Sequence, residues 1–188
     1  MSFFPAYLNL NDKKILLVGG GSIALEKLEK LVDFTTEITV VSKEFSAEFI
    51  VFAYQHKILM VERAYLLGDI EGFDVVIVAT DTIELHKEIF EESRSSRILV
   101  NSVDNTAYCD FIFPSYVKKG DLTISISTSG ASPALAKRLR IYVEKLIPSS
   151  IENFLSEMRS LRKTMPKGKK RMMFFEEKTD AFMKQNFK

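Results

Sequence analysis

Val18-Gly19-Gly20-Gly21-Ser22-Ile23-Ala24 decides the fold. It follows Lys14 to Val18, an apolar run that reads as a β-strand. It precedes Ala24, Leu25, Leu28, Leu31 and Val32, apolar at helical spacing with Glu26, Lys27, Glu29 and Lys30 on the other face. Strand, glycine turn and helix in that order fit the G-x-G-x-x-A pattern through Gly19, Gly21 and Ala24. The first glycine permits the tight turn, the second lets backbone approach a pyrophosphate, and the small Ala24 lets helix and strand pack closely. The phosphate then meets the helix amides and the positive end of the helix dipole. Gly19, Gly21, Ser22 and Ile23 are therefore candidate dinucleotide-binding residues; the alternative is a glycine-rich turn that binds nothing.

Outward from the turn, further short β-rich runs read as strands at residues 38–41, 58–62, 75–79 and 99–102, and Ile83 to Arg94 reads as a helix. This alternation is the pattern of a parallel sheet covered by helices, and the near-continuous apolar strands suit burial on both faces. After Asn105 the alternation stops. Phe111 to Phe113 and Leu122 to Ser127 read as strands of a small separate sheet, with Lys119-Gly120-Asp121 as the turn before the second. Ser132-Pro133 gives an N-cap residue followed by proline, opening a helix through about Leu146 that stops near Pro148. From Ser149 the pattern is helical, broken around Pro166-Lys167-Gly168. The expected fold class is α/β: a Rossmann-type parallel sheet over residues 1–113, a small β/α region over 114–147 and a helical C-terminal domain over 148–188.

The 188 residues are 46% hydrophobic and 27% charged, as in globular proteins with a real core rather than disordered or fibrous chains. One Rossmann-type domain takes about 100–150 residues. The length thus leaves room for an appendage but not for a full-sized substrate domain, so part of the active site is expected from elsewhere. Apolar runs such as Val75 to Ala79 are far shorter than the roughly 20 residues that cross a bilayer. Met1 to Leu10 lacks the pattern of a secretory signal, and the lone Cys109 has no internal disulfide partner, so a reducing cytoplasm is the expected location. Residues 159–188 hold ten of the 26 Lys and Arg but three of the 25 Asp and Glu, a basic tail on a mildly acidic body. Such a tail is either a solvated helix face or a polyanion-binding segment.

The acidic residue expected after the second strand to hold ribose hydroxyls is missing, since Val41 is followed by Ser42, Lys43 and Glu44. Lys43 favours a 2′-phosphate and hence NADP, whereas Ser42 or Glu44 serves NAD, and both stay open. Ala79-Thr80-Asp81 sits where an open α/β sheet binds its ligand, although Asp81 also suits the cap of the following helix. Asp104, in Asn101-Ser102-Val103-Asp104 at the carboxyl end of the fifth strand, is placed for a general base or a turn. Asp110 reads as structural. Ser127 to Pro133 gathers hydroxyls and amides before a helix N-terminus, with Lys137, Arg138 and Arg140 following, so Thr128, Ser129, Lys137 and Arg138 are candidate anion-binding residues; the alternative is ordinary capping. His56 and His86 are isolated, and no metal-ligand spacing occurs, so no resident metal is expected.

In order along the chain come Phe4-Pro5, the Val18 to Ala24 turn, Ala79-Thr80-Asp81, Asn101 to Asp104, Phe111-Ile112-Phe113-Pro114-Ser115 and Ser127 to Pro133. With these motifs the chain resembles the precorrin-2 dehydrogenase/sirohydrochlorin ferrochelatase family, the N-terminal module of siroheme synthase, in its free-standing form. The resemblance runs from about Phe3 to Pro148 and more weakly through the tail. It implies an intertwined homodimer in which 114–147 is the dimerisation region. It also implies NAD-dependent oxidation of precorrin-2 to sirohydrochlorin, then insertion of ferrous iron as a transient substrate. Asp104 matches the family's general base, and Thr128 stands where a relative carries a serine that can be phosphorylated. Lys137, Arg138 and the basic tail are suited to a polycarboxylate tetrapyrrole; neither nucleic acid nor membrane is an expected partner. The alternatives are a monofunctional dehydrogenase, a module for another metal such as cobalt, and a non-catalytic dinucleotide sensor whose basic tail binds a partner.

Overall fold

The computed structural model describes residues 3–187, so the outermost ends of the expected first and last domains, residues 1, 2 and 188, lie outside the described residues. Two compact units divide the chain, residues 3–112 and residues 113 onward.

In the first unit, β1 (Ile15–Val18), β2 (Ile38–Ser42), β3 (Leu59–Glu62), β4 (Val75–Val78) and β5 (Leu99–Ser102) form one sheet in the order β3-β2-β1-β4-β5. Every pairing is parallel, with Val18 level with Val41 on one side and Val78 on the other. The helices α1 (Ser22–Leu31), α2 (Ala47–Gln55) and α3 (Ile83–Ser93) follow β1, β2 and β4. Strands β1 and β4 are buried at every position because helices cover both faces. Leu16, Val18, Val76, Val78, Ile89 and Val100 form the centre of one core cluster. Strand β3 departs from the expectation of two buried faces: as the edge strand it pairs only with β2, and Leu59 is 62% exposed. Strand order reverses direction between β1 and β4, so the crevice at their carboxyl ends is the topological switch point where such sheets take ligands.

The sequence pattern did not mark α2, whose Phe49-Ile50-Val51-Phe52 run is rich in aromatic and β-branched residues of low helix propensity. Its cap decides the matter. Ser46 Oγ accepts a hydrogen bond from the Phe49 amide at 3.2 Å, while Phe49 and Ala53 bury themselves completely.

The second unit opens with β6 (Ser115–Lys119) and β7 (Leu122–Ile126), an antiparallel hairpin. The strand expected at Phe111 to Phe113 is not formed; the partner of β7 lies after Pro114 instead. The backbone before Pro114 makes a backbone bond to β5, the Asp110 amide donating to the Val100 carbonyl at 2.8 Å, and is otherwise held by side chains, with the Phe111 carbonyl accepting from Asn101 Nδ2 at 2.8 Å. Helix α4 (Pro133–Leu146) starts at Ser132, whose Oγ accepts from the Leu135 amide at 3.3 Å. The basic tail folds as α5 (Ile151–Thr164) and α6 (Lys169–Asn186), interrupted at residues 165–168. Ser150 with Asn186 at 2.8 Å, Phe154 stacked on Phe182 at 4.1 Å, Glu157 with Lys178 at 2.6 Å and Arg162 over Phe175 at 4.5 Å succeed one another in opposite directions, an antiparallel helical hairpin. No helix among the described residues is long and apolar enough to cross a membrane.

Candidate functional site

The glycine turn is shaped by close approach. Gly19 has φ +129°, and a Cβ there would lie 2.2 Å from the Ala79 carbonyl oxygen; at Gly20 it would lie 2.3 Å from that of Glu44. Gly21, the N-cap residue of α1, differs: nothing lies within 4 Å of its Cβ position, and it has no side chain to cap the first amides. Open space before an uncapped helix N-terminus fits a pyrophosphate, so the residues present fit a dinucleotide. Ala24 is fully buried against the turn, as the pattern requires.

At the end of β2, Ser42 Oγ donates to the Glu44 carbonyl at 2.7 Å and shapes the loop that closes over Gly20, while Lys43 and Glu44 are exposed. At the end of β4, Thr80 and Asp81 line a cavity of about 230 Å³ together with Ile23, Ile83, His86, Val103, Asp104 and Asn105. Asp81 does not cap α3, because Thr82 occupies that position. The volume is below the roughly 300–1,000 Å³ of pockets that enclose a whole drug-sized ligand, so the recess has room for only one end of such a molecule.

Asp104 stands exposed in the left-handed region, at φ +62°. The sulfur that brackets it belongs to Cys109. The thiol lies 3.1 Å from the Ser102 carbonyl and 3.3 Å from that of Asn105, and Sγ accepts from the Ser102 amide at 3.2 Å. Burial pushes the Cys109 thiol up, against the opposing pull of the Ser102 amide, which keeps it a hydrogen-bond donor rather than a thiolate. Asp110 is an anchor. Arg94 grips it through both terminal nitrogens, at 2.9 and 2.6 Å, and the Val100 amide donates to it at 2.9 Å.

Lys27 falls on the polar face of the helical pattern, yet its side chain is only 13% exposed. Burial, then repulsion from Lys30, pulls its ammonium below the usual lysine range, against attraction from Glu26 and Asp104. A mostly buried cation therefore lies within electrostatic reach of Asp104. The places of Lys27, Cys109 and His86 beside the recess escaped sequence reading because each depends on contacts between separate elements.

In the second unit, Thr128 Oγ1 accepts from the Ser132 amide at 3.0 Å and Ser127 Oγ from the Ser129 amide at 3.0 Å, with Ser129 at φ +51°. The hydroxyls of this loop thus cap its own turn while keeping their O–H groups as donors. Lys137 and Arg138 are exposed on α4, and Arg140 pairs with Glu144 at 2.7 Å. The structure gathers Gly19, Gly21, Ser22, Ile23, Ser42, Lys43, Glu44, Thr80, Asp81 and Asp104 in the first unit at the carboxyl edge of its sheet, and places Thr128, Ser129, Lys137 and Arg138 in the second. Among the described residues no cluster of three or more His, Cys, Asp or Glu side chains is arranged to hold a metal.

Residues 6–115 match a family described as putative NAD(P)-binding, and residues 119–145 match one described as sirohaem biosynthesis protein central. Siroheme synthase from Pseudoalteromonas translucida (strain TAC 125) is 36% identical over 151 residues, which cover 80% of this chain and 32% of the relative. Siroheme synthase from Methylococcus capsulatus is 33% identical over 180 residues, covering 94% of this chain and 38% of the relative. The chain thus spans about a third of the length of these curated relatives. Among solved structures, one described as SirC, precorrin-2 dehydrogenase, superposes with a TM-score of 0.76 at 26% identity, covering 90% of this chain and 85% of that one.

Proposed function

The chain belongs to the putative NAD(P)-binding family as it occurs in siroheme biosynthesis, and from that premise we propose that it is a precorrin-2 dehydrogenase using NAD. The observation that carries this reading is the place of Asp104: it lines the same recess as Thr80 and Asp81, at the switch point beyond the glycine turn. When bound, NAD supplies the acceptor for a hydride. Gly19, Gly21, Ser22 and Ile23 would hold its pyrophosphate, Ser42, Lys43 and Glu44 its adenosine ribose, and Thr80 and Asp81 its nicotinamide end.

Oxidation of precorrin-2 to sirohydrochlorin removes a hydride and a proton. The Asp104 carboxylate takes the proton, and its exposure lets the proton pass on to solvent. Cys109 fixes the turn so that the carboxylate faces the recess.

The same carboxylate serves a second step, insertion of ferrous iron, by accepting in turn the two pyrrole N–H protons that leave as the metal enters the ring and passing each to solvent. Thr128, Ser129, Lys137 and Arg138 receive carboxylates of the tetrapyrrole, whose charge an acidic body otherwise repels. Residues 1–113 form the dinucleotide domain, 114–147 the dimerisation region and 148–188 a helical domain. Homodimerisation is supported by the outer face of α4, where Leu135, Leu139, Tyr142 and Leu146 are 40–61% exposed.

Anaerobic mixing with precorrin-2, with NAD and NADP compared side by side, tests the reading. The absorbance of sirohydrochlorin should appear with NAD in step with NADH. Folded protein that oxidises precorrin-2 with neither dinucleotide sinks it.

A further inference from the structure

His86 is the buried residue of the recess that no role above uses. It is 3% exposed, on α3, and its Nε2 lies 2.9 Å from the Thr80 carbonyl oxygen. A carbonyl oxygen only accepts, so Nε2 carries the hydrogen and donates it, and in the neutral ring Nδ1 is left as an acceptor. That Nδ1 is buried without a hydrogen-bond partner. So is the hydroxyl oxygen of Thr80, which lines the same recess. A buried polar atom without a partner costs about 1–3 kcal/mol, and native proteins carry few of them. Here two belong to residues lining one cavity, where an incoming ligand can satisfy both.

The two atoms define the ligand group. Nδ1 of the neutral ring wants an N–H or O–H donor, and the Thr80 hydroxyl can give its hydrogen to an oxygen. A primary carboxamide presents both, an N–H and a carbonyl oxygen. The rest of the recess agrees: Ile23, Ile83 and Val103 offer apolar surface to a flat ring, and Asp104 stands beside it. The recess lies on the β4 and β5 side of the switch point, away from the β2 end that serves the adenosine ribose. We propose that His86 and Thr80 form the subsite for the nicotinamide carboxamide, His86 Nδ1 accepting from its N–H and the Thr80 hydroxyl donating to its oxygen. The subsite rests on the reading that the chain binds NAD, and it makes His86 the residue that distinguishes a carboxamide from a group of the same shape without N–H.

Titration calorimetry with NAD and with its 3-acetylpyridine analogue, which replaces the amide nitrogen by a methyl group, tests this without turnover. Wild-type protein should bind NAD about tenfold more tightly than the analogue, the worth of one net hydrogen bond. His86→Leu should weaken NAD about tenfold and leave the analogue within about twofold, so that the preference disappears. Thr80→Val should weaken both ligands together, because both keep the carbonyl. A His86→Leu protein that keeps the preference, or loses both ligands equally, overturns the subsite. If His86→Leu does not fold, Thr80→Val decides, and unchanged affinity for both ligands overturns it. Wild-type protein that binds neither dinucleotide removes the NAD reading and the subsite with it, whereas equal binding of both removes the subsite alone.

Discussion

Two residues set the geometry around the recess, and each fails differently when changed. At Gly19 the backbone runs at φ +129° with the Ala79 carbonyl where a side chain would stand. Gly19→Ala should therefore cost about 2–3 kcal/mol in denaturant unfolding and abolish dinucleotide binding, because β1 and the turn move apart. At Cys109 the thiol bridges carbonyls on both sides of Asp104. Under the proposed function, Cys109→Ala should lower turnover about tenfold while leaving NAD affinity unchanged, and Cys109→Ser, which keeps a donor, should restore most of it. Equal losses in both variants would make the sulfur mere filling. The Asp104 position itself was legible in the sequence, since a carboxylate at the end of a strand belongs to local pattern. The bracketing sulfur was not, because its meaning depends on where the chain returns after the 3₁₀ turn at Thr106–Tyr108.

Among the elements, the segment between β5 and β6 is the instructive case. Phe111-Ile112-Phe113 has the composition of a strand, but Asp110 is locked by Arg94 and the Val100 amide and the Phe111 carbonyl by Asn101, so side chains occupy the groups a ladder needs. The same clamp gives a pH dependence. Burial raises the Asp110 carboxyl, but the Arg94 guanidinium and the Val100 amide outweigh it and hold the group below the usual carboxylate range. A carboxylate lowered on folding contributes stability that is present above its unfolded value of about 3.9 and is lost as pH falls through its folded value. Arg94→Ala should therefore lower Tm at pH 7 and flatten its decline in the acid range below about pH 4; an unchanged acid limb would show that other carboxylates govern it. Most strands and the helices α1, α3 and α4 followed from period and capping residues. Helix α2 did not, since its stability comes from burying Phe49 rather than from propensity.

At the scale of the whole molecule, a near-neutral total charge hides a basic segment, and that segment folds within the α5–α6 helical hairpin. Its Arg162 and Lys178 hold structural contacts, so not all of its charge is available to an anion. The exposed apolar face of α4 belongs to the same scale. Sedimentation should give twice the 21.5 kDa chain mass, and Leu139→Glu with Tyr142→Glu should return the protein to monomer; a wild-type monomer would leave the face without its proposed partner. Under the proposed function, precorrin-2 loses a proton to Asp104 in this recess while its hydride leaves for NAD. The most direct measurement is the anaerobic rate of NADH formation from precorrin-2 by wild-type protein and by Asp104→Asn, with the NAD affinity of both determined in parallel. The expected result is NAD binding within about twofold and a rate lower by about 10²–10⁴-fold in the variant. Wild-type protein that binds NAD yet forms no NADH, or an Asp104→Asn protein as fast as wild type, would contradict it.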